Sequence, residues 1–142
     1  MPAKVIDCER TTPGTRTAVW DLLDNSHGWV SWTPIDECDV IVAHTANDHE
    51  VRRIRNGRVR LTEEIVQRQP GQILAYTVLS GLAVRDYLAT VSLEDTQSGT
   101  RIRWHTEFRP KIPGTGWIYL FALRRATIQF VDGLVAATTP QP

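Results

Sequence analysis

Val5 and Ile6 stand among polar neighbours in Lys4–Thr11, which predicts a first edge strand. Thr12 then suits a helix N-cap and Pro13 the first helical position, where a missing N–H costs nothing. Ala18, Val19, Leu22 and Leu23 recur at helical spacing and give that helix one apolar face; Asp24-Asn25-Ser26 and Gly28 end it. The stretch from His27 to Pro34 has room for one or two helical turns before the proline stops it.

The apolar period then shortens to two. Cys38–Ala43 reads as a strand, and Val51–Arg55 and Arg58–Val66 flank Asn56-Gly57, a strong signal for a type I′ hairpin turn. Pro70-Gly71 turns the chain into a strand over Ile73–Ser80, Gly81 breaks it, and Asp86–Leu93 is the next. Beyond Ser98-Gly99, Arg101–Arg109 alternates: Ile102, Trp104, Thr106 and Phe108 share one face, while Arg101, Arg103, His105, Glu107 and Arg109 share the other. Such alternation marks a strand with one dry and one wet face.

After the loop Pro113-Gly-Thr-Gly116 a helix of about 20 residues is expected to run to Ala137, with Thr138–Pro142 frayed. With Trp117 at 0° and ~100° per residue, Trp117, Leu120, Phe121, Ile128, Val131 and Val135 centre its apolar arc. The order is strand, two short helices, six antiparallel strands and one long helix. Burying one face of every strand against that helix requires the sheet to curl around it. The prediction is an α+β fold, a curved antiparallel sheet of about seven strands wrapped around a long C-terminal helix. A curved sheet on one helix leaves a gap between them, and a gap lined by aromatic and aliphatic groups is a ligand cavity.

At 142 residues, 42% of them hydrophobic, the chain suits a single domain over 1–142 and needs no metal or disulfide staple. Sixteen basic and sixteen acidic side chains cancel, so a global field for nucleic acid is absent. Cys8 and Cys38 stand outside any CxxC spacing and read as buried small hydrophobes. No apolar run spans a bilayer or suits a signal peptide, so a cytoplasmic protein without stable membrane insertion is expected.

Several runs are informative together: Val19-Trp-Asp-Leu-Leu-Asp24 with Trp29 and Trp32-Thr-Pro34, then Thr62-Glu-Glu-Ile-Val66, Leu74-Ala-Tyr76 and Gly81-Leu-Ala-Val-Arg-Asp-Tyr87. Gly99-Thr-Arg-Ile-Arg-Trp104 and Pro113-Gly-Thr-Gly116 complete the order. Together they resemble the SRPBCC or START-like superfamily, in its polyketide cyclase/dehydrase and lipid-transport branch, over roughly residues 4–137. The resemblance implies a helix-grip fold of the birch-pollen-allergen type and a binder of hydrophobic small molecules. It implies no particular reaction, since the superfamily includes carriers, sensors, cyclases and hydrolysis activators. With it, 14 Arg against 2 Lys suggests a GC-rich bacterial source.

Candidate chemistry is sparse. GxSxG, HExxH, Walker and GxGxxG signatures are absent, so neither cofactor nor metal is expected. His44 and His49 read as solvated loop residues, and His105 lies on a wet face. The aromatic set Tyr76, Tyr87, Trp104, Phe108, Trp117 and Phe121 is expected to converge between sheet and helix, with the two phenols able to donate to a ligand oxygen or serve as acids. Two charges fall on apolar faces: Glu63 beside Val59, Leu61 and Ile65, and Arg124 at about 340° within the helix arc. Arg124 could snorkel, pair with Glu63, or enter the cavity and bind a ligand oxygen. Tyr76, Tyr87, Glu63 and Arg124 are thus the catalytic candidates if the protein is a cyclase or dehydratase.

The hairpin arginines Arg52, Arg53, Arg55, Arg58 and Arg60 read as a solvated face softened by Asp48, Glu50 and Glu64, with an anionic contact as the other reading. Arg55 is expected opposite Arg58, and Arg53 opposite Arg60. The leading function is a carrier or sensor of a lipid or polyketide-like molecule, with no nucleic-acid partner and a homodimer left open.

Overall fold

A computed structural model describes residues 2–140. Seven antiparallel strands form one sheet in the order β1-β7-β6-β5-β4-β3-β2. They are β1 (Lys4–Thr12), β2 (Glu37–Val42), β3 (Val51–Asn56), β4 (Val59–Gln69), β5 (Ile73–Ser80), β6 (Val84–Thr96) and β7 (Gly99–Pro110). Helix α1 (Arg16–Leu23) and a 3-10 helix (Ser26–Ser31) follow β1, and α2 (Gly116–Thr138) closes the chain against the sheet. The predicted architecture is the observed one. On β7, Ile102, Trp104, Thr106 and Phe108 are all buried, as the alternation requires.

Three local readings change. Helix α1 begins later than Thr12 and Pro13 suggest, because Thr12 ends β1; Thr15 is the N-cap, its hydroxyl accepting from the Ala18 N–H at 3.1 Å. Thr138 is not frayed: it is buried in the last turn of α2, with its Oγ1 2.6 Å from that of Thr12. Residues 141–142 of the predicted frayed tail lie outside the described residues. The hairpin loop is Gly57-Arg58 rather than Asn56-Gly57, since Asn56 pairs with Val59. Gly57 has φ +63° while Arg58 stays at negative φ, so the turn has positive φ only at its first central position, the type II′ pattern.

That one-residue shift re-pairs the hairpin. Arg55 faces Arg60, Arg53 faces Thr62, and Arg52 faces Glu63. The pairing moves by two residues, so the faces stay as they were: Arg52 shares the inward face with Ile54 and is fully buried, alone among the five hairpin arginines.

Helix α2 grips the sheet through Tyr119, Leu123, Phe130, Val131 and Leu134. It also meets the Trp32 backbone so closely that a Cβ on Gly133 would lie 1.9 Å from the Trp32 carbonyl oxygen. Gly133→Ala should therefore destabilise the fold by about 1–3 kcal/mol through overpacking, against the small gain in helix propensity. Urea unfolding checks this; a variant at least as stable as wild type would show that α2 is free to shift.

Candidate ligand cavity

Between the sheet and α2 lies a cavity of about 290 Å³, close to the lower end of small-molecule sites. Its walls are mainly aliphatic and aromatic: Ile54 and Leu61 from the hairpin, Val78 from β5, and Leu123, Ala126 and Phe130 from α2. Asn56, Val59, Ile118 and Ala122 line it while keeping solvent exposure, so its mouth lies between the hairpin tip and the first half of α2. A larger hollow of about 480 Å³ elsewhere is lined by Glu9, Arg16, Glu94, Asp95, Arg101 and Arg103 among others, a set rich in mutual ion pairs.

Besides Asn56 at the mouth and Tyr119, whose hydroxyl accepts from the Ala83 N–H at 3.3 Å, three polar side chains enter the apolar cavity. Glu63, Tyr76 and Tyr87 line it together. Arg52 stands behind Glu63, its Nε donating to Glu63 Oε1 at 3.0 Å and its Nη2 2.9 Å from the same oxygen. The guanidinium carbon lies 3.9 Å from the centre of the Trp29 ring and 5.1 Å from that of Tyr76, so aromatic faces replace part of its lost hydration. Arg52 Nη1 donates to Ser26 Oγ at 3.3 Å, and that hydroxyl donates to Glu50. Glu50 meets Arg68 at 3.2 Å, and Arg68 pairs with Asp24. A chain of charges thus runs from the cavity wall towards solvent.

Burial is the strongest single influence on Arg52 and opposes its charge, but the charge and hydrogen bond of Glu63, with Cys38 and Tyr76 adding, together outweigh it and raise the pKa. Burial likewise pushes Glu63 up from its ordinary value, with Arg52 pulling it back. Glu63 therefore binds its proton more readily folded than unfolded. Its titration contributes stability that is complete below about 4.5 and lost as pH rises through the folded value. Relative to Glu63→Gln, the wild type should gain stability as pH falls from neutral towards 4.5. Denaturant unfolding across that range measures it, and a relative loss on acidification would contradict the assignment.

Burial also raises both phenols, Tyr76 well above 10 and Tyr87 strongly too, with the Glu63 charge adding to each. At neutral pH they are un-ionised hydrogen-bonding groups, and the shift carries them away from the range in which a phenol acts as an efficient acid. Burial pushes the Cys38 thiol up to about 11 and raises Cys8, so neither is a nucleophile at neutral pH.

The remaining predicted site residues divide. Trp104 and Phe108 are buried but lie behind the cavity wall, their ring centres 6.4 Å from Tyr76 and 6.5 Å from Tyr87 respectively. Trp117, Phe121 and Arg124 point to solvent, not inward. The inward face of α2, formed by Tyr119, Leu123, Phe130 and Leu134, lies about 130° round the helix from the centre of the expected arc, of which Val131 alone is fully buried. Arg124 consequently has no role with Glu63, whose partner is Arg52. Among the described residues no cluster of His, Cys, Asp and Glu could hold a metal ion. His49 instead meets Glu64 at 2.9 Å, and Asp86 meets Arg109 at 3.6 Å.

This sheet, its gripping helix and the apolar hollow between them define a START-like helix-grip protein. Within that class, the chain belongs to the polyketide cyclase/dehydrase and lipid transport family, whose pattern it matches over residues 6–137. TTHA0849 from Thermus thermophilus superposes with TM-score 0.77 at 17% identity, over 95% of this chain and 97% of that one. The Zhui aromatase/cyclase from Streptomyces sp. R1128 gives 0.74 at 12% identity, over 96% and 92%. The di-domain ARO/CYC StfQ from the steffimycin biosynthetic pathway gives 0.80 at 10% identity, over 96% of this chain and 50% of that one. No curated protein sequence matches significantly.

Proposed function

We propose that the chain is a single ligand-binding domain that holds a hydrophobic small molecule, such as a lipid or polyketide-like compound, as a cytoplasmic carrier or sensor. The observation that carries this reading is the 290 Å³ hollow, whose mainly apolar walls also present Glu63, Tyr76 and Tyr87. Tyr76 and Tyr87 are the hydrogen-bonding groups that orient the ligand there. Glu63, fixed through Oε1 by Arg52, favours a ligand that carries a hydroxyl or amine donor. No nucleic acid and no metal enters this reading, and no helix among the described residues is long and apolar enough to cross a membrane.

One observation favours a second reading, a cyclase or dehydratase working in the same space. Glu63 is a carboxylate in an apolar cavity with a raised pKa, which is what a general base requires. Two measurements separate the readings. A carrier binds a fluorescent fatty acid saturably and leaves a poly-β-keto thioester unchanged. An enzyme turns that thioester over and loses turnover in Glu63→Gln with folding intact. Absence of both binding and turnover would overturn both readings.

A further inference from the structure

We propose that the cavity mouth docks reversibly onto the surface of an anionic lipid bilayer. The four most exposed large apolar side chains among the described residues are Trp117 (70%), Phe121 (69%), Ile112 (55%) and Leu79 (53%). They come from the first turns of α2, the β7–α2 loop and the end of β5, all at the end of the sheet that carries the hairpin tip and the mouth. Ile118, half exposed, belongs both to this patch and to the cavity lining. Burying tryptophan and phenylalanine at a membrane interface removes this area from water.

The charge around the patch points to the partner. Arg58, Arg60, Arg85, Lys111, Arg124 and Arg125 lie on the hairpin, the start of β6, the β7–α2 connection and α2. None of them makes an ion pair among the described residues. Of the acids at this end, Asp36 and Glu37 are engaged by Arg55 and Asp86 by Arg109, while Glu107 on β7 meets the His105 ring. Elsewhere the arginines are paired, as in Arg16–Asp95, Arg101–Glu94 and Arg103–Asp7, with Arg53 on β3 the exception. A chain of zero net charge thus gathers unpaired cations around its most exposed apolar groups, the complement of an anionic headgroup layer. Arg124 continues the Trp117–Phe121 stripe along α2, so the aromatic tips would enter the acyl boundary while the guanidinium meets phosphate. The mouth opens within the same patch, and an apolar molecule could pass between bilayer and cavity without crossing water. That continuity favours a lipid surface over an acidic protein.

What is exchanged rests on the ligand-cavity reading; the docking itself does not. The test is co-sedimentation of the ligand-free full chain with vesicles of phosphatidylcholine alone or mixed equally with phosphatidylglycerol. The bound fraction should be at least tenfold higher on the anionic vesicles and fall with added salt. It should drop about tenfold or more in Trp117→Ala/Phe121→Ala and in Arg124→Glu/Arg125→Glu. Circular dichroism of these exposed-site variants should match wild type. Ala126→Trp, which fills the cavity, should dock normally, so failure of the cavity reading leaves this result untouched. Equal partitioning onto both vesicle types, or anionic binding unaffected by the aromatic variant, would overturn the proposal. So would sedimentation velocity showing a dimer abolished by Trp117→Ala/Phe121→Ala, because a second copy would then cover the patch.

Discussion

Replacing Arg52 with alanine should cost the fold about 3–5 kcal/mol, the range for breaking a buried ion pair from one side. Arg52 is wholly buried and Glu63 nearly so, 6% exposed, and the substitution leaves the carboxylate with no cation beside it. It also removes the group stacked on Trp29 and the donor to Ser26 Oγ. For a domain near this size, each kcal/mol moves the thermal midpoint by about 2–4 °C, so a fall of roughly 10 °C is expected. The loss should shrink on acidification, because an unpaired Glu63 would bind a proton and shed its charge. Arg52→Met/Glu63→Leu should recover most of the stability, since an apolar pair of similar volume needs no desolvated charges. A midpoint for Arg52→Ala within about 2 °C of wild type would show that the pair does not hold this part of the core.

Ala126→Trp should abolish binding of an apolar probe while leaving the fold in place. Ala126 lines the cavity from α2 and is only partly buried, so an indole there can project into the hollow without displacing tightly packed side chains. The volume it fills is a large share of the 290 Å³, leaving too little for a fatty-acyl chain. Titration with a fluorescent fatty acid should show saturable binding for wild type and at least a hundredfold weaker binding for the variant. Matching circular dichroism and unfolding midpoints would establish that the space, and not the fold, was lost. Unchanged affinity in Ala126→Trp would place the probe elsewhere.

The fold was legible because its signals are periodic. Alternation on β7 reports one buried face, and it is buried as read; on α1 Val19 and Leu23 are buried, but Ala18 is exposed, Leu22 is half-buried and Trp20 is buried in addition. The cavity wall was only partly legible. Tyr76, Tyr87 and Glu63 fall where strand alternation puts them, since a strand offers only two faces. A helix offers a continuum, and α2 misleads because its strongest apolar stripe, Trp117 and Phe121, faces solvent. Its inward stripe includes Tyr119 and Ala126, residues with weak apolar signatures. Arg52 was missed for a different reason. Alternation with Ile54 already set Arg52 on the inward face, but within a run of five arginines it read as part of a solvated surface; moving the turn by one residue shifts the pairing by two and leaves each strand's faces unchanged. The Ser26–Glu50–Arg68 links join segments far apart in the chain, and no local pattern announces them.

Native mass spectrometry of the protein purified from its own host, without detergent or added lipid, tests the account most directly. It should show a species heavier than the polypeptide by one apolar molecule, and Ala126→Trp from the same host should fly at the polypeptide mass alone. An identical adduct on both proteins, or bare polypeptide for wild type that also fails to take up a fluorescent fatty acid, would contradict a ligand-holding interior.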